Sequence, residues 1–209
     1  MNILLIGASG MVGSRVLSEA VARGHSVVAA GRNPDKIEQQ DSVHAIALDV
    51  EDSDAVLAEA ANADVVISAV SPRNSGDAIQ DAINFTTVLI KVSEQTGKRI
   101  LMVGGGSSLV MPDGTSALEL TPDFILPEAT GMRKAYAMMV DADIDFTVLA
   151  PGGMIEPGER TGKFRTSGRI MLTNAEGGKS RITAEDYAIA MLDEVENPKH
   201  YRSIFNVAY

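Results

Sequence analysis

The sequence predicts an α/β fold, a single doubly wound parallel sheet flanked by helices, with a small substrate-side region toward the C-terminus. Three observations predict it. Short β-rich runs alternate with helical patterns along nearly the whole chain. Apolar runs such as VVISAV do not alternate with polar residues, as expected of strands buried on both faces of a parallel sheet. The 209 residues contain no internal repeat, low-complexity tract or linker, so residues 1–209 are expected to form one domain.

Taken in order, Asn2–Ile6 is a strand that runs into a helix over Met11–Arg23. Ser26–Ala30 is the second strand, followed by a short helix over Pro34–Gln39. Strand Val43–Leu48 leads to helix Ser53–Ala61. Strand Asp64–Ala69 leads to a long helix over Ser75–Thr96, on which Ile79, Ile83, Thr86 and Ile90 mark one face. Strand Arg99–Val103 precedes helix Asp123–Val140, and strand Asp145–Ala150 precedes helix Ala184–Val195. In that last helix Ala188, Met191, Leu192 and Val195 form a stripe, Thr183 is placed as the cap, and Asp186 is placed to reach back to it. Ile204–Val207 is the final strand. The loosest stretches, Gly104–Pro122 and Pro151–Arg181, follow predicted strand ends, where folds of this class hold their ligands.

Composition excludes several functions. Apolar residues make up 45% of the chain and charged residues 22%, an ordinary globular balance. The net charge of −10 argues against a nucleic-acid partner and against an anionic membrane surface. An anionic ligand must be held by local dipoles and a few placed cations. There is no cysteine, which removes disulfides, thiolate metal sites and cysteine nucleophiles and makes the cytoplasm the expected compartment. Ile3 to Ile6 is too short for a signal peptide or a membrane span. His25, His44 and His200 are scattered without metal-ligand spacing, so no metal site is expected.

The stretch ILLIGASGMVGS carries the chemistry. Gly7, Gly10 and Gly13 recur every third residue between a strand and a helix. Gly7 permits the sharp turn, Gly10 lets a pyrophosphate approach the backbone, and Gly13 lets the helix pack close to the sheet. Ala8, Ser9, Met11 and Val12 complete the turn and the helix start, whose free N–H groups and positive dipole end suit phosphate. The spacing is G-x-x-G-x-x-G rather than the commoner G-x-G-x-x-G, but its position after the first strand makes it a specific sign of a dinucleotide-binding, Rossmann-like turn. The second strand ends in GRN, where NAD-preferring folds place an acid. Gly31 leaves room, Arg32 offers a guanidinium fork suited to a 2′-phosphate, and Asn33 adds a polar contact, so NADP(H) is expected over NAD(H). A solvated Arg32 is the plainer alternative. Asp49 and Val50, ending the third strand, are candidates for the adenine amino group and ring, and a helix-entry role for Asp49 stands beside that.

With these motifs the chain resembles the NAD(P)H-binding, atypical short-chain dehydrogenase/reductase group. Within it the resemblance is to the small bacterial NADH-flavin reductases, relatives of biliverdin reductase B and the NmrA-like proteins. The stretches ADVVISAVS, LPEATGMRKA, DFTVLAPGGMIEPGERTGKFR and SRITAEDYAIAMLDEVENPKHYRSIFNV carry the resemblance over nearly the whole chain. It implies that Ser107 and Ser108 lie where the family's active-site serine falls, and that Pro151 and Gly152 close over the nicotinamide. Ala69, Val70 and Ser71, after the fourth strand, are expected beside the nicotinamide ribose. Gly104 to Gly106 allow close backbone approach. Arg160, Lys163 and Arg165, gathered in one loop, are candidates for an anionic substrate group. Arg133 and Lys134 are candidates to replace a missing lysine, or surface charges.

The departure from the wider group is as informative. Its dehydrogenases use a Tyr-x-x-x-Lys pair as proton donor. None of Tyr136, Tyr187, Tyr201 or Tyr209 is followed four residues later by lysine, and the pair's expected positions hold Glu128 and Met132. That argues against alcohol dehydrogenation, epimerisation and dehydration. Two functions remain: an NAD(P)H-dependent reductase passing hydride directly to a flavin or similar planar acceptor, and a non-enzymatic NADP-binding redox sensor of NmrA type. Partners are expected to be a small planar acceptor, no nucleic acid and no membrane, with a monomer or homodimer as the assembly.

Overall fold

The computed structural model describes residues 1–173 and 180–209. Part of the Pro151–Arg181 stretch, residues 174–179, lies outside the described residues. In chain order the elements are β1 Asn2–Ile6, α1 Met11–Ala22, β2 Ser26–Gly31, β3 Val43–Ala47, α2 Ser53–Ala61, β4 Val65–Ser68, α3 Ala78–Thr96 and β5 Arg99–Val103. They continue with α4 Leu126–Asp141, β6 Phe146–Pro151, β7 Met154–Glu156, β8 Arg165–Ser167, β9 Arg181–Thr183, α5 Ala184–Glu196 and β10 Ser203–Ala208.

Eight strands form one sheet in the order β3-β2-β1-β4-β5-β6-β10-β8. All its pairings are parallel except that of β10 with β8. The order reverses between β1 and β4, so a crevice opens beyond the carboxyl ends of those strands. β7 and β9 form a separate parallel pair.

The sheet is covered on both faces, as the unbroken apolar runs require. On β1, Leu4 and Ile6 pack into one core with Val56 of α2, Phe85 and Leu89 of α3, and Ala135 and Met139 of α4. Ile3 and Leu5 point the other way, into a core with Val16 and Leu17 of α1 and Tyr187, Met191 and Leu192 of α5. Burying both faces of a central strand is why β1 reads LLI with no polar residue between.

Four local details depart from the sequence expectation. Pro34–Gln39 makes only a 3₁₀ turn over Pro34–Lys36, because Ile37 leaves the turn to enter the core. Helix α3 begins three residues late. The Asp77 carboxylate caps it by accepting from the N–H groups of Ile79 and Gln80, both at 3.1 Å. Helix α4 is preceded by a 3₁₀ turn over Asp123–Ile125. The strands β7, β8 and β9, three residues each and mostly exposed, carry no apolar run to announce them.

Candidate functional site

The turn between β1 and α1 is built by its glycines in three different ways. Gly7 has φ of +87°, and a Cβ there would lie 2.7 Å from the Ala69 carbonyl oxygen. A Cβ on Gly13 would collide with the Gly7 carbonyl oxygen. These two glycines are demanded by the protein's own packing. Gly10 is not. It has ordinary extended backbone, and an added Cβ would meet only the Gly7 oxygen, at 3.3 Å. Its missing side chain leaves open the cavity beyond. Gly10 is also the N-cap of α1 and makes no side-chain cap bond, so the first N–H groups of that helix are left for a ligand.

The cavity is a cleft of about 250 Å³ over the switch point. Its wall brings together Gly7, Ser9, Gly10, Gly31, Arg32, Asp49, Val50, Ala69, Val70 and Ser71 from the carboxyl ends of four strands, β1 to β4. These are the residues expected at a dinucleotide. Ala8, Met11, Val12 and Asn33 are not in the wall. Ala8 is buried beneath the turn, and the Asn33 side chain instead accepts from the Asp35 N–H at 3.1 Å, holding the 3₁₀ turn. At the rim the Arg32 guanidinium donates to the Asn74 side-chain oxygen at 2.6 Å. Asp49 accepts from the Glu51 N–H at 3.0 Å, while the helix-entry role falls to Asp52, which accepts from Ala55 N–H at 3.1 Å.

Sequence reasoning picked out Ala69, Val70 and Ser71 in the loop between β4 and α3 but passed over Arg73 and Asn74 farther along it, and Asp81 in α3. Asp81 is buried, and its carboxylate accepts from the backbone N–H groups of Asn74 (2.6 Å) and Ser75 (3.0 Å). These bonds draw the loop over the cleft and set Arg73 and Asn74 at its edge. The only local sign was an acid one turn into a helix already capped by another.

A second cavity of about 410 Å³ adjoins the first and shares Val70, Ser71 and Arg73 with it. Its wall includes Ser107, and also Gly104, Pro151 and Gly152, which were expected at the cofactor and line this cavity rather than the first; it is otherwise mainly apolar, with Met111, Met132, Met154 and Met171 among its members. Glu128 and Met132, the positions of the absent tyrosine–lysine pair, both line it. Among the described residues no tyrosine lines either cavity. Tyr187 is wholly buried with its hydroxyl donating to the Leu149 carbonyl at 2.5 Å, and burial pushes that phenol well above its usual range.

The two serines separate. Ser107 lines the second cavity and donates its hydroxyl to the Ala129 carbonyl at 2.9 Å. Ser108 does not line it; its hydroxyl is buried with no partner among the described residues. Arg133 bonds the Ser116 hydroxyl and the Ser107 carbonyl, so it braces the serine loop, and Lys134 is exposed.

The basic loop does not reach either cavity. Arg160 is spent on Glu19 of α1, with two bonds of 2.9 Å, and Arg165 on the backbone carbonyls of Thr173 and Tyr209. Lys163 is exposed. The cause is Asp186. Rather than reaching back to its own cap, its buried carboxylate accepts from the N–H groups of Thr161 and Gly162, both at 2.8 Å, and from the Thr161 and Tyr209 hydroxyls. Burial pushes the Asp186 carboxyl up, but these donors outweigh it and hold it below the usual carboxylate range. Two histidines serve packing: His25 bonds Glu196 at 2.9 Å, and His200 bonds Glu194 at 2.8 Å and stacks on Phe205; His44 is exposed.

Among the described residues no helix is long and apolar enough to cross a membrane. A protein family described as NAD(P)H-binding matches residues 7–198. The Bacillus subtilis protein YwnB is 34% identical over 99% of this chain and 98% of its own length. A Bacteroides thetaiotaomicron structure, provisionally named an epimerase, is 36% identical, covers 100% of this chain and 96% of its own, and superposes with a TM-score of 0.92. A Streptococcus pneumoniae structure, provisionally named an NADH-flavin reductase, is 28% identical, covers 100% of this chain and 99% of its own, and gives a TM-score of 0.88. By these likenesses the chain belongs to the NAD(P)H-binding family of Rossmann-fold proteins, within the atypical short-chain dehydrogenase/reductases.

Proposed function

We propose that the chain, acting as one domain, is an NADP(H)-preferring reductase of a planar acceptor, with flavin as the acceptor type. The carrying observation is the pair of adjoining cavities, one lined by the glycine turn and Arg32, the other largely apolar and lacking a tyrosine. A reduced nicotinamide bound in the first cavity would supply a hydride. The Gly7–Val12 turn and the open N–H groups of α1 receive the pyrophosphate. Arg32 exchanges Asn74 for the 2′-phosphate, Asp49 and Val50 hold the adenine, and Ala69, Val70 and Ser71 line the path to the second cavity. Gly104, Pro151 and Gly152 bring backbone close to the reacting rings. Ser107, its proton held by Ala129, presents its oxygen to a ring N–H of the acceptor. The methionine-lined wall excludes water and holds a planar ring by area rather than by donors. Positioning therefore replaces proton transfer as the protein's contribution.

The name carried by the Streptococcus pneumoniae relative supports the flavin reading. The test is oxidation of NADPH and of NADH by purified protein, with and without FMN, beside a binding titration of each nucleotide. Turnover with FMN and tighter binding of NADPH are expected. Tight nucleotide binding with no turnover on flavins, quinones or dyes would replace this reading with a nucleotide sensor.

A further inference from the structure

Among the described residues the second cavity carries one ion pair in its wall. Arg73, in the loop after β4, meets Glu128, in the first turn of α4, through Nε to Oε2 at 2.9 Å and Nη2 to Oε1 at 3.1 Å. This is the two-pronged arrangement in which a guanidinium matches both oxygens of a carboxylate or phosphate. Arg73 also stands in the wall of the nucleotide cleft, so its guanidinium marks the junction of the cavities. Its side chain is 71% exposed, and a pair so open to water is readily exchanged. The backbone beneath it is fixed by the bonds from Asn74 and Ser75 to Asp81.

We propose that Arg73 is the anion subsite of the acceptor cavity: the acceptor is a planar ring bearing a carboxylate or phosphate, which takes the guanidinium from Glu128. The apolar wall holds the ring and the single guanidinium receives the substituent. Glu128 acts as a selectivity group, occupying the fork until a ligand of the same shape and charge displaces it. The inference rests on the reductase reading for the word acceptor, but the binding it describes needs no turnover.

The test uses two flavins that share a ring and differ by a phosphate. FMN and riboflavin are titrated into the NADP⁺-saturated protein at low salt, and NADPH oxidation is followed with each flavin and with a neutral quinone. FMN is expected to bind roughly tenfold more tightly than riboflavin, the scale of a charge-assisted fork. Arg73→Gln, which leaves Glu128 facing the ligand, is expected to bring the ratio toward or below one. Glu128→Gln, which frees Arg73, is expected to raise it. A residue pair that merely braced the fold would not move the ratio in opposite directions. Equal binding of the two flavins, no binding of either, or a shift of the same sign in both variants overturns the subsite. FMN preference without oxidation of NADPH by any acceptor keeps the subsite and removes the reductase. Reduction of the quinone, or of both flavins alike, without FMN preference does the reverse.

Discussion

Arg32 and Asn74 face each other across the mouth of the cleft at the sheet's switch point, joined guanidinium to amide oxygen at 2.6 Å. Asn74 also donates to Glu51 at 3.3 Å, so one short loop ties together the ends of β2, β3 and β4. Its chain neighbour Arg73 turns to the other cavity and holds Glu128. Two adjacent residues thus each hold a charged partner, Asn74 holding Arg32 in the wall of the first cavity and Arg73 holding Glu128 in the wall of the second.

Replacing Arg32 by aspartate removes the fork and sets an acid where a ribose hydroxyl would bind. The affinity for NADPH is expected to fall about tenfold or more, the size of a lost charge-assisted bond, while that for NADH holds or rises. Fluorescence titration of both nucleotides checks this; unchanged discrimination would leave Arg32 a solvated cation.

The glycines of the first turn are expected to fail differently. Gly13→Ala forces a methyl against the Gly7 carbonyl and should cost about 1–3 kcal/mol or more of stability by overpacking. Gly10→Val places its side chain in the cleft, so it should melt near the parent temperature and lose nucleotide binding. Thermal melts with and without NADPH separate the two; a Gly10→Val protein that still binds NADPH would displace the pyrophosphate from this turn.

Asp81→Ala leaves the N–H groups of Asn74 and Ser75 without their acceptor. Because the loop carries Arg73 and Asn74 together, the KM for NADPH and the KM for the acceptor are expected to rise together. Steady-state kinetics with each substrate varied in turn reads this out. A rise in only one would mean that the two cavities are built independently.

Acid should destabilise the protein through Glu194, at the opposite end of the sheet from the site. Burial raises this carboxyl, but the His200 backbone N–H, the His200 ring and Arg99 outweigh burial and hold it below the usual glutamate range. A carboxyl depressed in the folded state stabilises the fold above its unfolded value, about 4.3, and that contribution is lost as pH falls through the folded value. Urea unfolding from pH 7 to pH 3 should show stability declining below about pH 4.3. Glu194→Gln should be less stable at neutral pH and show a shallower decline.

Much of the fold was legible because it is local. Seven strands and the glycine turn are read from runs of a few residues, since a strand buried on both faces must be apolar throughout and a Rossmann-like turn must have glycine where backbone meets backbone. Gly7, Gly10, Arg32, Asp49 and Ser71 converge for the same reason: strand order sets the crevice, and each sits at a strand's carboxyl end. The 3₁₀ turn at Pro34–Lys36 and the short strands β7 to β9 escaped because their form follows from what they pack against.

What the sequence by itself determined, then, is seven strands of the sheet, the long helices and the glycine turn, all encoded in residues near one another along the chain. Only the tertiary structure decided which charges meet. Arg160 lies 141 positions from Glu19, and Asp186 lies 25 from Thr161, yet these contacts turn the basic loop away from the site. Arg73 and Glu128, 55 positions apart, are brought to one cavity by the packing of α3 and α4 on a shared sheet face. A charge reports its own sign in the sequence, but the partner that spends it or frees it is chosen by the order in which strands and helices stack.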